Sequence, residues 1–179
     1  PFGWLKNIIH GFSLIIFRTT YPQWLVLEIG ADRVGDIKSL ASWIRPDFAV
    51  LTSLPEIPVH VEFFPSPESL FEEKAALLVA VKTGGIVIVN EDDERIKVVL
   101  NKLLLAKKLE NKKIVRYGWS QMADIRLTND QSAIEYQSQT IPLQLNQLHG
   151  AHQFYAVLAA LAVGVSVGYP PLTIKKALE

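Results

Sequence analysis

Cysteine is absent from the 179 residues, and methionine occurs once. No disulfide framework, thiolate metal site or cysteine nucleophile is available, and a reducing compartment suits the chain, so the cytoplasm is the default location. An excess of charge of one sign is also missing: eighteen basic residues balance eighteen acidic ones, with no long run of either. The broad electrostatic footprint that nucleic acid or an anionic membrane would require is therefore lacking. Long hydrophobic runs are lacking too. The most apolar stretch, Ile8 to Phe17 (IIHGFSLIIF), is ten residues long and interrupted by His10, Gly11 and Ser13, against roughly 20 for a membrane helix. It has neither the basic leader nor the small-residue cleavage site of a signal peptide. Finally, G-x-x-x-x-G-K-[ST], G-x-G-x-x-G and G-x-S-x-G are all missing, so this stretch of chain carries no phosphate loop, dinucleotide fingerprint or serine elbow.

Hydrophobic residues make up 49% of the chain, enough for one compact domain with a sizeable core. The first residue is Pro1 rather than Met, and Glu179 falls inside an apparent helix opening at Pro170-Pro171, so the expectation is a piece of a longer protein. Strand-like runs alternate with helix-period segments. Trp24 to Ile29 reads as a buried strand, Gly35 to Ile44 as a helix, and Asp47 to Leu54 as a second strand. Ser66-Pro67-Glu68 supplies an N-cap, a first-turn proline and a first-turn acid for a helix running to about Lys82, stopped by Gly84-Gly85. Ile86 to Val89 is a third strand, Asp92 to Leu109 a helix and Lys113 to Tyr117 a fourth strand. This alternation predicts an α/β fold with a mostly parallel sheet flanked by helices. After Gly118 the rhythm changes: Ala123 to Thr128 and Ala133 to Leu145, around Asn129-Asp130, suit a small antiparallel hairpin or side sheet. His152 to Val167 is again helical, ended by Gly168 and Pro170. The chain thus divides into a β/α sheet core at 1–118, a side hairpin at 119–148 and C-terminal helices at 149–179, within a single domain.

Several side chains sit where α/β sheets gather ligands, at the carboxyl ends of strands. Glu28 ends the first predicted strand, and His60 with Glu62 follows the second, so neighbouring strands would let them converge on a metal. Taken singly, each has a simpler reading, as a turn acid or a solvated histidine. Lys74 lies within the apolar stripe of Leu70, Phe71, Ala75, Leu77, Leu78 and Val81. Either its stem packs while the ammonium reaches water, or desolvation leaves a neutral amine able to react or be modified. Asn90-Glu91-Asp92-Asp93 follows the third strand and opens a helix, where Asp92 or Asp93 could simply be the N-cap. Gly150-Ala151-His152-Gln153 opens another.

In this order the motifs resemble the central, ATP-binding domain of the Mur ligases, most of all the branch that adds D-alanyl-D-alanine, from about Asn7 to Glu179. Leu27 through Asp32 with Gly35-Asp36-Ile37 is similar to that family's L-E-M-G-A-N followed by P-G-E-I. Arg45-Pro46-Asp47 through Thr52 resembles K-P-D-x-A-V-I-T, and His60-Val61-Glu62-Phe63-Phe64 resembles H-L-E-x-F. Ser69 through Lys74 resembles the helix bearing the lysine that becomes carbamylated, Val89 through Asp93 resembles L-N-A-D-D, and Gly150 through Gln153 with Ala159-Ala160 resembles G-x-H-N-x-x-N-x-x-A-A. The resemblance implies ATP and Mg2+ as cofactors. Glu28, His60 and the carbamate of Lys74 would be the metal-site residues, Lys74 in a catalytic role, and Asn90, Asp92, His152 and Gln153 would lie near the nucleotide. It implies amide-bond formation through an acyl phosphate in peptidoglycan precursor synthesis, with a UDP-sugar-peptide held by flanking domains. Departures are visible. Gln153 and Ala156 stand for the two asparagines of H-N-x-x-N, Thr52-Ser53-Leu54-Pro55 for T-N-I-G, and Asn7 through Gly11 for N-N-E-I-G. The family's phosphate loop would fall before Pro1. Two other readings stand beside it: a non-catalytic binding or scaffold module of the same fold, which the departures favour and the Glu28, His60 and Lys74 set disfavours, or a ligase acting on a poly-amino-acid or folate chain, which only the flanking domains would distinguish.

Overall fold

The computed structural model describes residues 3–17, 22–54, 63–143 and 150–178. Its elements run α1 (Gly3–Ile16), α2 (Asp36–Ile44), β1 (Phe48–Leu51), α3 (Pro67–Ala80), β2 (Ile86–Asn90), α4 (Glu94–Leu105), β3 (Lys113–Gly118), β4 (Ile125–Leu127), β5 (Ala133–Tyr136), β6 (Gln139–Pro142), α5 (Ala151–Val167) and α6 (Pro171–Leu178). Among the described residues one six-stranded sheet holds the strands in sequence order. β1 through β4 pair in parallel, and β4, β5 and β6 pair antiparallel. The expected α/β class with its antiparallel hairpin is present, and the hairpin continues the main sheet, because β4 joins β3 through Tyr117↔Ile125 and Gly118↔Arg126.

The layering follows from the crossovers. Successive parallel strands that always step in one direction with one hand keep their connecting helices on one face. Accordingly, α3 and α4 cover the face of Ala49, Leu51, Val87 and Val89, packing with Phe71, Leu78, Ile96 and Leu100. The opposite face, with Ile88, Val115, Tyr117 and Ile125, is covered by α5 through Phe154, Leu158, Leu161 and Ala162. Strands clad on both sides need apolar residues at successive positions, which is why β2 reads as an unbroken Ile-Val-Ile-Val run. Each fully buried leucine or isoleucine here contributes on the order of 1.5–3 kcal/mol.

Local chemistry sets the helix ends. Ser66 accepts from the Ser69 N–H at 3.3 Å while Ser69 Oγ accepts from the Ser66 N–H at 3.2 Å, a reciprocal cap with Pro67 in the first turn. At α2 the capping position is Gly35, whose φ of 96° and missing side chain leave the helix start without a cap of its own. The carboxylate of Glu73, buried on α3, reaches across and accepts the Lys38 N–H at 3.0 Å. Arg45, in the left-handed region at φ 46°, ends α2, and its N–H donates to Ala41 O.

One expected strand is not formed. Residues 24–29 pair with no strand among the described residues; Leu25 is 73% and Val26 92% exposed, and Glu28 is exposed with them. An apolar run becomes a strand only when a neighbour takes up its N–H and C=O groups. β1 is the edge strand of the sheet, and 24–29 touches it through a ring contact, Trp24 to Phe48 at 6.2 Å, rather than a ladder. Ile29 then packs beside a small cluster of Ala31, Ile37, Phe64 and Leu70. α1 likewise has no buried residue, and no helix among the described residues is long and apolar enough to cross a membrane.

Candidate nucleotide-side crest

The carboxyl ends of β1, β2 and β3 form a crest closed by the first turns of α4 and α5. Asn90, the last residue of β2 and 2% exposed, donates through Nδ2 to Thr52 O at 3.1 Å and accepts the Asp92 N–H at 3.0 Å. It therefore ties the end of β1 to the turn after β2. Asp93, not Asp92, caps α4: its Oδ1 accepts from Arg95 N and Ile96 N at 2.9 and 3.2 Å, and its Oδ2 accepts the Leu54 N–H at 2.8 Å. Asp92 turns the other way. Its Oδ2 accepts the Trp119 N–H at 2.7 Å and the Tyr155 hydroxyl at 3.1 Å, and its Oδ1 accepts the Ser120 N–H at 2.9 Å. One carboxylate thus joins β2, the loop after β3 and helix α5.

The carboxylate needs room. Gly118 sits against it at φ 156°, and a Cβ added there would lie 2.5 Å from Asp92 Oδ2. Aromatic rings fill the space behind: Tyr155 meets Trp119 edge to face at 4.8 Å and Tyr117 at 6.5 Å. Tyr117 is fully buried, and its hydroxyl has no hydrogen-bond partner among the described residues. Burial, then the neighbouring Tyr155, Asp92 and Asp93, push its ionisation above the ordinary tyrosine range. Tyr155 is pushed up to about 12, by burial first and then by the charge of Asp92 and the hydrogen bond to it. On the other flank Glu91, 8% exposed, pairs with Arg116 at 3.2 Å. Burial raises its carboxyl above the usual range, and the guanidinium opposes part of that rise.

The expected site residues therefore divide. Asn90 binds the Asp92 N–H, and Asp92 reaches α5 at Tyr155, one turn after His152, which is exposed; the N–H of Gln153 donates to Gly150 O at 3.2 Å. Glu28 is not at a strand end but on the unpaired segment 24–29, because no ladder holds that segment to β1. Lys74 lies half-buried on α3, and its side chain has no hydrogen bond among the described residues. His60 and Glu62 lie outside the described residues. Among the described residues no group of three His, Asp or Glu side chains could hold a metal ion, and the expected set needs His60. Glu28 and a Lys74 carbamate would offer the oxygen donors that a hard cation prefers, whereas the His60 imidazole would be an unusual ligand for it. Glu28 makes no hydrogen bond among the described residues, whereas Asp92 and Asp93 direct their oxygens to the protein. Sequence reasoning missed Glu73, Glu91, Arg116, Trp119 and Tyr155. The only local signal was Glu91 following a buried strand, and the others become meaningful through contacts across 25 to 63 positions.

A mostly parallel sheet with a polar crest at its strand ends, closed by two helix starts, defines an α/β domain of the class that gathers ligands at strand ends. The Mur ligase middle domain model matches residues 11–164, and the chain belongs to that family. The UDP-N-acetylmuramoyl-tripeptide–D-alanyl-D-alanine ligase of Escherichia coli strain K12 is 27% identical over 98% of this chain and 39% of its own length. The UDP-N-acetylmuramate–L-alanine ligase of Persephonella marina is 33% identical over 53% of this chain and 20% of its own. The chain thus spans well under half the length of these relatives. Among solved structures, MurF of Acinetobacter baumannii superposes with a TM-score of 0.72 at 20% identity, over 88% of this chain and 34% of that one. MurF of Thermotoga maritima in complex with ADP gives 0.60 at 21% identity, over 78% and 32%. These two likenesses establish the fold.

Proposed function

We propose that the full-length protein is an ATP-dependent amide-forming ligase of peptidoglycan precursor synthesis, with a UDP-sugar-peptide as acceptor and D-alanyl-D-alanine as the amine component, working in the cytoplasm. The observation that carries this is the family match over 11–164 on a chain whose Asn90, Asp92 and α5 start share one crest. The D-alanyl-D-alanine assignment is supported by the Escherichia coli relative, which aligns with nearly the whole chain. Nucleotide use is supported by a fold neighbour described with ADP. In the proposed reaction the acceptor carboxylate attacks the γ-phosphorus of ATP and ADP leaves. The amine nitrogen then attacks the acyl carbon, phosphate leaves, and the nitrogen gives up a proton as the amide forms. Mg2+, where bound, neutralises charge on the transferring phosphoryl group. Glu28, His60 and Lys74 as its carbamate are the residues proposed to hold it, while the crest at Asn90, Asp92, His152 and Gln153 positions the nucleotide.

The departures at Gln153 and Ala156 favour a second reading, a non-catalytic module of the same fold. Phosphate release with ATP, UDP-N-acetylmuramoyl-tripeptide and D-alanyl-D-alanine separates the two. The ligase is expected to need all three substrates, and Glu28→Ala or Lys74→Ala to abolish turnover while the fold persists. Unchanged turnover in either variant removes that residue from the site. A G-x-x-G-K-[ST] motif is expected about 25 to 45 residues ahead of Pro1, a span of one helix and strand. Its absence from the full-length sequence would sink the catalytic reading.

A further inference from the structure

The polar side chains of the crest turn inward: Asn90 serves Thr52 and Asp92, Asp92 serves residues 119, 120 and 155, and Asp93 serves α4 and Leu54. Hydrogen-bonding groups spent this way shape the crest for a nucleotide rather than read its base. An aromatic surface lies among them. Trp119 directly follows β3, and its main chain is clamped by Asp92 at 2.7 Å. Its indole is set at 89° to Tyr155 and 69° to Phe154, the latter at 6.0 Å. Tyr155 is itself hydrogen-bonded to Asp92, so the ring that meets the indole is held at its hydroxyl end. Trp119 nevertheless stays partly exposed. One turn before Tyr155 is His152 and next after it Ala156, both exposed, and the methyl side chain of Ala156 offers no hydrogen bond.

We propose that Trp119, braced by Tyr155, is the stacking surface for the nucleobase, selecting purine over pyrimidine triphosphates by ring overlap while separating adenine from guanine only weakly. Stacking discriminates by area rather than by donor and acceptor pattern, because every base has a π-face. The inference rests on the ligase function proposed above. In the full-length protein, KM values for ATP, GTP and CTP and inhibition by inorganic tripolyphosphate are measured for wild type, Trp119→Ala and Trp119→Phe. Trp119→Ala is expected to raise the KM for ATP about five- to hundredfold. Its kcat and its inhibition by tripolyphosphate, which has no base, should remain near wild type, and Trp119→Phe should recover most of the loss. Wild type should use GTP within about tenfold of ATP and CTP less well. A KM shift below about twofold, a fall in kcat alone, or parallel weakening of ATP and tripolyphosphate would overturn the stacking role. Discrimination of ATP from GTP beyond about a hundredfold would overturn the weak purine selectivity. A wild type that consumes no nucleotide refutes the ligase function instead, a result visible before any variant is made.

Discussion

Replacing Asp92 should loosen three elements at once. Its carboxylate accepts two backbone N–H groups and one phenol, at 2.7, 2.9 and 3.1 Å. Hydrogen bonds to a charged acceptor contribute about 1.5–3 kcal/mol each, and donors left unpaired carry a desolvation cost. Asp92 is half-buried, so water replaces part of what is lost. Asp92→Ala is therefore expected to cost about 2–4 kcal/mol, and Asp92→Asn, which keeps the shape and one acceptor oxygen, about 1–2 kcal/mol. Urea unfolding midpoints read the loss. Tyr155 offers a second readout. Its phenol ionises near pH 10 when unfolded and at about 12 when folded. Between those values the unfolded state holds fewer protons, so the stability that Tyr155 contributes is complete below about pH 10 and is lost as pH rises towards 12. Removing the Asp92 charge should lower the folded value and narrow that window, followed by ultraviolet absorbance of the phenolate. A wild-type urea midpoint and an unmoved Tyr155 in Asp92→Asn would refute this account, as would equal losses in the Asn and Ala variants.

Three further outcomes are expected. Gly118→Ala should cost about 1–3 kcal/mol through contact with the Asp92 carboxylate; the cost should shrink in an Asp92→Ala background, and a fully additive double mutant would show that the contact does not matter. Glu73→Ala should cost about 1–2 kcal/mol by uncapping α2, with faster hydrogen exchange at the Lys38 amide, while Glu73→Gln retains most of the stability. Asp130 is held at about 2 by the Thr128 hydroxyl and by Ser132. Its folded value is depressed, so its contribution is present above about pH 4 and is lost as pH falls through about 2. Wild type and Asp130→Asn should therefore differ in thermal midpoint at neutral pH and converge near pH 2. A gap that persists at pH 2 would contradict this.

What could be read without coordinates was whatever neighbouring residues decide among themselves. Ser66-Pro67-Glu68 carries its own capping chemistry, and α3 starts where that chemistry places it. The unbroken Ile-Val-Ile-Val of β2 can be satisfied only by cover on both faces. Gly168 ends α5 because the left-handed turn there suits glycine. Trp24 to Ile29 looked equally strand-like, yet a strand exists only through its partner, and no partner is encoded within those six residues. The choice between Asp92 and Asp93 as cap was likewise open locally, since both precede α4. It was settled by where each carboxylate finds other donors: Leu54 for Asp93, and residues 119, 120 and 155 for Asp92. Order of motifs alone indicated the family. Tertiary structure alone gave Glu73 a helix to cap, buried Glu91 beside Arg116, and set Trp119 against Tyr155, because each depends on an approach between segments that are distant in the chain.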